Sequence, residues 1–310
     1  MPHDMPTLIQ IAEPQPASML LVAPRSRPRW ADWLDLTKPR MNFLVVVTTM
    51  VGYFMAARTM ADWGRLVATL VGTVLTAGAA SVFNQYLERP YDALMPRTAG
   101  RALPAGRVTP LEALLWGVAL AVPGLLILDW FVNPLTAFLG AFTLATYVFV
   151  YTPAKRWTTL CTVIGAVPGA VPPMMGVTAV EGHVTPAALA LFTILFFWQM
   201  PHFLAIAVLY RDDYAKGGFK MLPVIDKGMR TTGNQMVLYC VALLPVTLMP
   251  AIIGMAGVLY FVAAIVLGVV FCSFAVLCAA RKTRSDARQL FLVSIAYLPA
   301  LLTVMMIDKL

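Results

Sequence analysis

An all-α, polytopic membrane protein with nine spans is the fold this sequence predicts, and three observations predict it. Hydrophobic residues make up 60% of the 310 and charged residues only 12%, about half the charge of a soluble domain. Apolar runs of roughly 17–25 residues recur along the chain, the length a helix needs to cross hydrocarbon. The basic residues alternate too: 20 of the 23 lysines and arginines fall in the amino-terminal segment and in every second connection. The other side keeps only Arg58, Arg65 and Lys309. By the positive-inside rule the amino end is cytoplasmic, and nine spans leave the carboxyl end outside. The net charge of +8 thus belongs mostly to one membrane face and suits the lipid bilayer; no nucleic-acid partner is expected.

Residues 1–30 are rich in proline, and their apolar stretch Met19–Ala23 is too short for a signal peptide. They read as a disordered cytoplasmic tail, leaving 31–310 as a single intramembrane domain. The spans fall at roughly 42–57, 66–87, 111–128, 134–152, 160–178, 187–209, 236–253, 258–280 and 290–307. Cys161, Cys240, Cys272 and Cys278 all lie inside apolar runs with no CxxC pair, as small buried hydrophobes do.

The second span ends in Asn84-Gln-Tyr-Leu-Glu-Arg-Pro-Tyr-Asp92, which sets Asn84, Glu88 and Asp92 at i, i+4 and i+8 on one helical face. Acids bordering hydrocarbon are costly unless they serve a function. Three oxygen donors suit a hard cation such as Mg2+, which takes one or two carboxylates and completes its shell with water and phosphate. Pro90 is expected to kink or end the helix near Arg89. Arg97, Thr98, Arg101 and Arg107 follow in the next loop. Arg97 and Arg101 are the candidates for diphosphate contacts, while Arg107 fits a solvated loop. The plainer alternative is an ordinary polar helix end.

The sixth span leads into a second cluster, Tyr210-Arg-Asp-Asp-Tyr-Ala-Lys-Gly-Gly-Phe-Lys220. Adjacent acids point about 100° apart on a helix. Asp213 is assigned to the site, and Asp212 to a salt bridge or solvent. Lys216 and Lys220 can neutralise diphosphate, and Gly217-Gly218 lets the loop turn. His202, after Pro201, is the one histidine within a span. It is either a haem ligand or a residue hydrogen-bonded between helices. Gly165, Pro168, Gly169 and Pro172-Pro173 crowd the fifth span for packing reasons.

At these residues the chain resembles the UbiA-type superfamily of intramembrane prenyltransferases. The generic signal is the two acid clusters with Leu36-Thr37-Lys38-Pro39-Arg40. Asp92-Ala-Leu-Met95 with Arg97-Thr98 and Arg101, then Tyr151-Thr152-Pro153 with Lys155-Arg156 and Thr158, narrow it. Trp198-Gln-Met-Pro-His-Phe203, Arg211-Asp-Asp-Tyr214, Gly218 and Met221-Leu-Pro223 resemble the branch that farnesylates haem. The likeness covers roughly residues 30–307. Ala102 stands where the family usually has proline, and Cys161 where it has asparagine.

The resemblance implies nine helices around a cavity opening to the cytoplasm, in a bacterial inner membrane. It implies that farnesyl diphosphate and haem B, with water, give haem O and diphosphate. Mg2+ would be held by Asn84, Glu88, Asp92 and Asp213, and the diphosphate charge shared by Arg97, Arg101, Lys155 and Lys216. His202 would orient haem. Haem A synthase or a terminal oxidase under assembly is the protein partner this implies. The alternatives are a prenyltransferase acting on an aromatic quinone precursor and, in another class, a transporter of haem or an anionic lipid.

Overall fold

The computed structural model describes residues 28–57 and 62–310. The tail expected over 1–30 lies outside the described residues as far as residue 27, as does Arg58. Among the described residues every named element is helical, and one isolated bridge joins Ala256 to Lys309. Short α1 (Arg29–Leu36) precedes α2 (Pro39–Ala56), α3 (Trp63–Asp92) and α4 (Pro110–Phe131). Next, α5 (Pro134–Ala145) runs through a π-helical stretch, Thr146–Tyr151, into α6 (Thr152–Trp157). Long α7 (Cys161–Glu181) and α8 (Pro186–Leu209) lead to short α9 (Arg211–Lys216) and α10 (Leu222–Ile225). The chain closes with α11 (Arg230–Ile252), α12 (Val258–Arg281) and α13 (Arg284–Ile307).

Eight of the described helices are long and apolar enough to cross a membrane, the run from Pro134 to Trp157 counting as one. The ninth expected span corresponds to α2, which is not among the eight. Its 18 residues include the polar first turn Pro39-Arg40-Met41-Asn42, which shortens its apolar length. The outward surface fits lipid. Helix α12 exposes Val258, Leu259, Val262, Val266 and Val269 while burying Tyr260, Ala264 and Phe271, so it is apolar on every side.

Local chemistry starts the helices where the sequence changes. Thr109 and Glu112 form a reciprocal capping box on α4. Asn133, Thr185 and Thr283 cap α5, α8 and α13 through their side chains. Proline occupies the first turn of α2, α4, α5 and α8, where no backbone donor is needed.

Of the two outcomes expected near Arg89, a kink or an end, helix α3 shows no end: it continues through Pro90 to Asp92. Proline at 90 removes the bond that would reach the Tyr86 carbonyl. The Arg89 guanidinium donates to that same carbonyl at 2.6 Å and lies over the Tyr86 ring at 4.5 Å. A side chain thus replaces the missing backbone donor, and the face carrying Asn84, Glu88 and Asp92 stays continuous.

Two groups of helices make up the bundle. Helix α3 packs on α4, while α8 packs on α11 and α13. Helices α2 and α7 lie between them in extensive mutual contact. That crossing is backbone against backbone. A methyl group at Gly176 would collide with the Thr49 carbonyl, and one at Gly52 with the Pro173 carbonyl. Small residues permit this approach, as they do in membrane helix pairs generally.

Gly176→Ala is therefore expected to cost about 1–3 kcal/mol through overpacking. A melting experiment in detergent should show it as a lowered midpoint. Gly100→Ala, at a position with no neighbour within 4 Å of the added methyl, should melt like the parent.

Candidate active site

The end of α3 carries the first half of the site, and its polar residues are buried. Asn84 and Asp92 are each 1% exposed and Glu88 is 6% exposed. A buried charge needs a partner, and each of these side chains has one from a different segment. The Lys38 ammonium, at the junction of α1 and α2, donates to Asn84 Oδ1 at 2.9 Å. Lys155 of α6 donates to Glu88 Oε1 at 2.7 Å. Arg101, in the loop after α3, donates to Asp92 Oδ2 at 2.6 Å. Asn84 also donates through Nδ2 to Thr152 Oγ1 at 3.1 Å. Gln85, one residue on, donates to the Leu36 carbonyl at 2.8 Å and holds the end of α1 in place.

The second cluster joins through Arg97. Its guanidinium lies 3.8 Å from Asp213 Oδ2 and sits over the Tyr210 ring at 4.8 Å. Asp212 is exposed and lies 3.9 Å from Arg284 on the far side. A main-chain bond fixes the loop after α9 to α6, from Lys220 N to the Lys155 carbonyl at 2.7 Å. Phe219 packs among Tyr91, Tyr214 and the Lys155 ammonium. The Tyr151 ring lies 4.5 Å from the same ammonium.

The electrostatics are those of a crowded basic rim. Burial, with the Arg101 charge next in weight, pulls the Lys38 ammonium down to about 7. Asn84, its hydrogen-bond partner, carries no charge to offset this.

Mg2+ can be tested against these donors. All four are hard oxygen ligands, and Asp92 Oδ1 is buried with no hydrogen-bond partner, as a carboxylate awaiting a cation would be. Among the described residues no three carboxylate, imidazole or thiol side chains converge on one metal position. Glu88, Asp92 and Asp213 therefore do not meet as one ligand set; the donors that fit the ion are one or two carboxylates, Asp92 first, with the rest of the shell left to water and phosphate.

Not every expected residue reaches this cluster. Lys216 is exposed and makes no hydrogen bond or ion pair among the described residues. Arg107, expected in a solvated loop, instead pairs with buried Asp32 of α1 at 3.0 Å and donates to the Gly100 carbonyl, because a buried carboxylate needs an opposing charge. His202 lies apart, between α8 and α13, bonded to Ser294. Cys161, buried, points its thiol at Met221 Sδ at 3.4 Å. Sequence reasoning gave no role to Lys38, Thr152 or Tyr151. The Leu36–Arg40 motif contained Lys38, and a basic residue just ahead of a span is the signal that could have found it.

Comparison with known proteins bears on this arrangement. The UbiA prenyltransferase family matches residues 45–298. Protoheme IX farnesyltransferase of Solibacter usitatus (strain Ellin6076) is 44% identical over 287 residues, 90% of this chain and 98% of that protein. The protein of the same name in Opitutus terrae (strain DSM 11246 / JCM 15787 / PB90-1) is 43% identical over 93% of this chain and 97% of its own. Among solved structures, one of digeranylgeranylglyceryl phosphate synthase superposes with a TM-score of 0.77 at 15% identity, covering 90% of this chain and 98% of that one. A UbiA homologue from Archaeoglobus fulgidus bound to GPP and Mg2+ gives a TM-score of 0.63 at 14% identity, covering 88% and 99%. The structural likenesses speak to the fold, and the sequence matches span nearly the whole chain: the chain belongs to the UbiA prenyltransferase family.

Proposed function

We propose that this protein transfers the farnesyl group of farnesyl diphosphate to a vinyl group of haem B, with addition of water, giving haem O and diphosphate. The observation that carries the reading is identity of 43–44% over nine tenths of the chain to proteins named for that reaction. The protein is an integral membrane protein. We place it in a bacterial inner membrane with its amino end and its acid clusters on the cytoplasmic face, from the bias of its basic residues.

Mg2+ would be held from among Asn84, Glu88, Asp92 and Asp213, Asp92 first and at most two carboxylates at a time. The ion, when bound, supplies positive charge against the diphosphate leaving group. The chain's own residues do the rest by exchanging partners. Arg101, Lys155 and Arg97 now neutralise Asp92, Glu88 and Asp213. With the acids turned to a cation, these bases would be free for the diphosphate oxygens, and no charge would be left unpaired in either state. The allylic C–O bond then breaks with its electron pair leaving on diphosphate. The haem vinyl π electrons form the new C–C bond, and water adds to the resulting cation and loses a proton. Apolar walls would keep water away until that point. His202 is the residue we assign to the haem.

Purified protein given haem B, farnesyl diphosphate and Mg2+ should yield a haem heavier by one farnesyl and one hydroxyl group in a mass spectrum. Diphosphate release only with an aromatic acceptor would move the substrate assignment, and no release with any acceptor would remove the enzymatic reading. Asp92→Asn should lower turnover by at least about a hundredfold while the melting midpoint holds. Near-normal turnover would refute its role as a metal ligand. Lys155→Met should cost about 3–5 kcal/mol, because Glu88 is left as an unpaired buried charge. Adding Glu88→Gln to that variant should recover stability without recovering turnover.

A further inference from the structure

His202 is fixed from several directions by groups that the reaction itself does not use. Trp198 stacks on its ring at 4.9 Å between centroids, and Phe291 lies tilted against it at 5.2 Å. Its Nδ1 is 2.7 Å from Ser294 Oγ on α13. Trp198 also reaches the same residue, donating from Nε1 to the Ser294 carbonyl at 2.9 Å. Ser294 is 0% exposed, so no solvent competes for its hydroxyl.

The direction of the bond between His202 and Ser294 follows from a count of protons. A serine hydroxyl has one hydrogen to donate. Ser294 directs it at the Phe291 carbonyl one turn back, at 2.6 Å. Toward the imidazole, Oγ can therefore only accept. Nδ1 must carry the N–H, and Nε2 is left with its lone pair. Nε2 makes no hydrogen bond among the described residues, and it is not among the fully buried polar atoms that lack a partner. This is the arrangement of a metal-binding histidine, in which a hydrogen bond to one nitrogen sets the tautomer and raises the basicity of the other.

We propose that Ser294 is a positioning residue for the acceptor substrate: by accepting from Nδ1 it holds His202 as the tautomer whose Nε2 ligates the haem iron. This rests on the reading of haem B as acceptor. The bond between helices that offers a purely structural account of His202 is the same bond that prepares its other nitrogen.

Full-length protein in detergent is titrated with ferric haem B and followed by absorption and electron paramagnetic resonance, with the mass-detected product measured on the same preparations. The parent should show an imidazole-ligated iron. His202→Ala should lose that signature and recover it with added imidazole. Ser294→Ala should remain folded and bind haem at least about tenfold more weakly, with the ligation signature diminished. Ser294→Thr, which keeps the hydroxyl, should restore both. If Ser294→Ala keeps the parent's spectrum and affinity while His202→Ala loses them, the role of Ser294 is overturned and His202 stands. A bound-haem spectrum indifferent to His202→Ala overturns the ligation and this inference with it, while a farnesylated product from the same sample leaves the reaction intact. Absence of both bound haem and product overturns the inference together with the haem reading.

Discussion

Charge neutrality at the buried end of α3 is the constraint that organises this molecule. Glu88 and Asp92 are acids out of contact with water, and neither is tolerable there without an opposing charge. The partners come from segments distant in sequence: α6 supplies Lys155 and the loop after α3 supplies Arg101. The junction of α1 and α2 adds Lys38 through Asn84, and Arg97 extends the network to α9. Segments distant in sequence are thus gathered round one face of one helix, and a small apolar cluster of Met95, Ala154, Phe219 and Met221 packs beside them. The aromatic rings of Tyr151, Phe219 and Tyr91 close the periphery. The same requirement explains how the site can remain folded before substrate arrives, since the bases meant for an anion already have anions to hold.

Proline supplies a second theme, because α3, α7, α8, α11 and α13 all contain it internally. Each such residue deprives a carbonyl of its helical donor, and in hydrocarbon that carbonyl cannot turn to water. In α3 a neighbouring guanidinium answers the loss. Helix α8 carries Pro201 directly before His202, so the segment that presents the histidine is also one whose ladder is locally interrupted.

The sequence made the fold class plain, because apolar length and the side bias of basic residues are properties of composition and spacing. The helical phase of Asn84, Glu88 and Asp92 was equally legible, being local. Partners were not. Nothing in the spacing says that Lys155 answers Glu88, 67 positions away, or that the residue facing His202 is Ser294, 92 positions on. That α3 runs on through Pro90 was hidden for a related reason. A rule about backbone donors cannot see a side-chain donor supplied by the preceding residue. Lys216, prominent in the sequence as a base beside an acid cluster, lies exposed because α9 ends there and turns it outward. Helix α2 shows the limit of counting apolar residues, since its place in the bundle depends on close packing against α7 more than on its own hydropathy.

The π-helical stretch Thr146–Tyr151 has its own consequence for how this chain can vary. Its wider turn ends where the Thr152 amide and hydroxyl both meet the Tyr147 carbonyl, and it shifts the angular phase of everything that follows. Removing one residue there would restore a regular helix and rotate α6 by about 100°, carrying Thr152 away from Asn84 and Lys155 away from Glu88. Substitutions along the lipid-facing half of α5 can accumulate with little effect, but a change of length cannot. The stretch acts as a phase setter, and among descendants of this chain the number of residues from Pro134 to Trp157 should drift far more slowly than their identity.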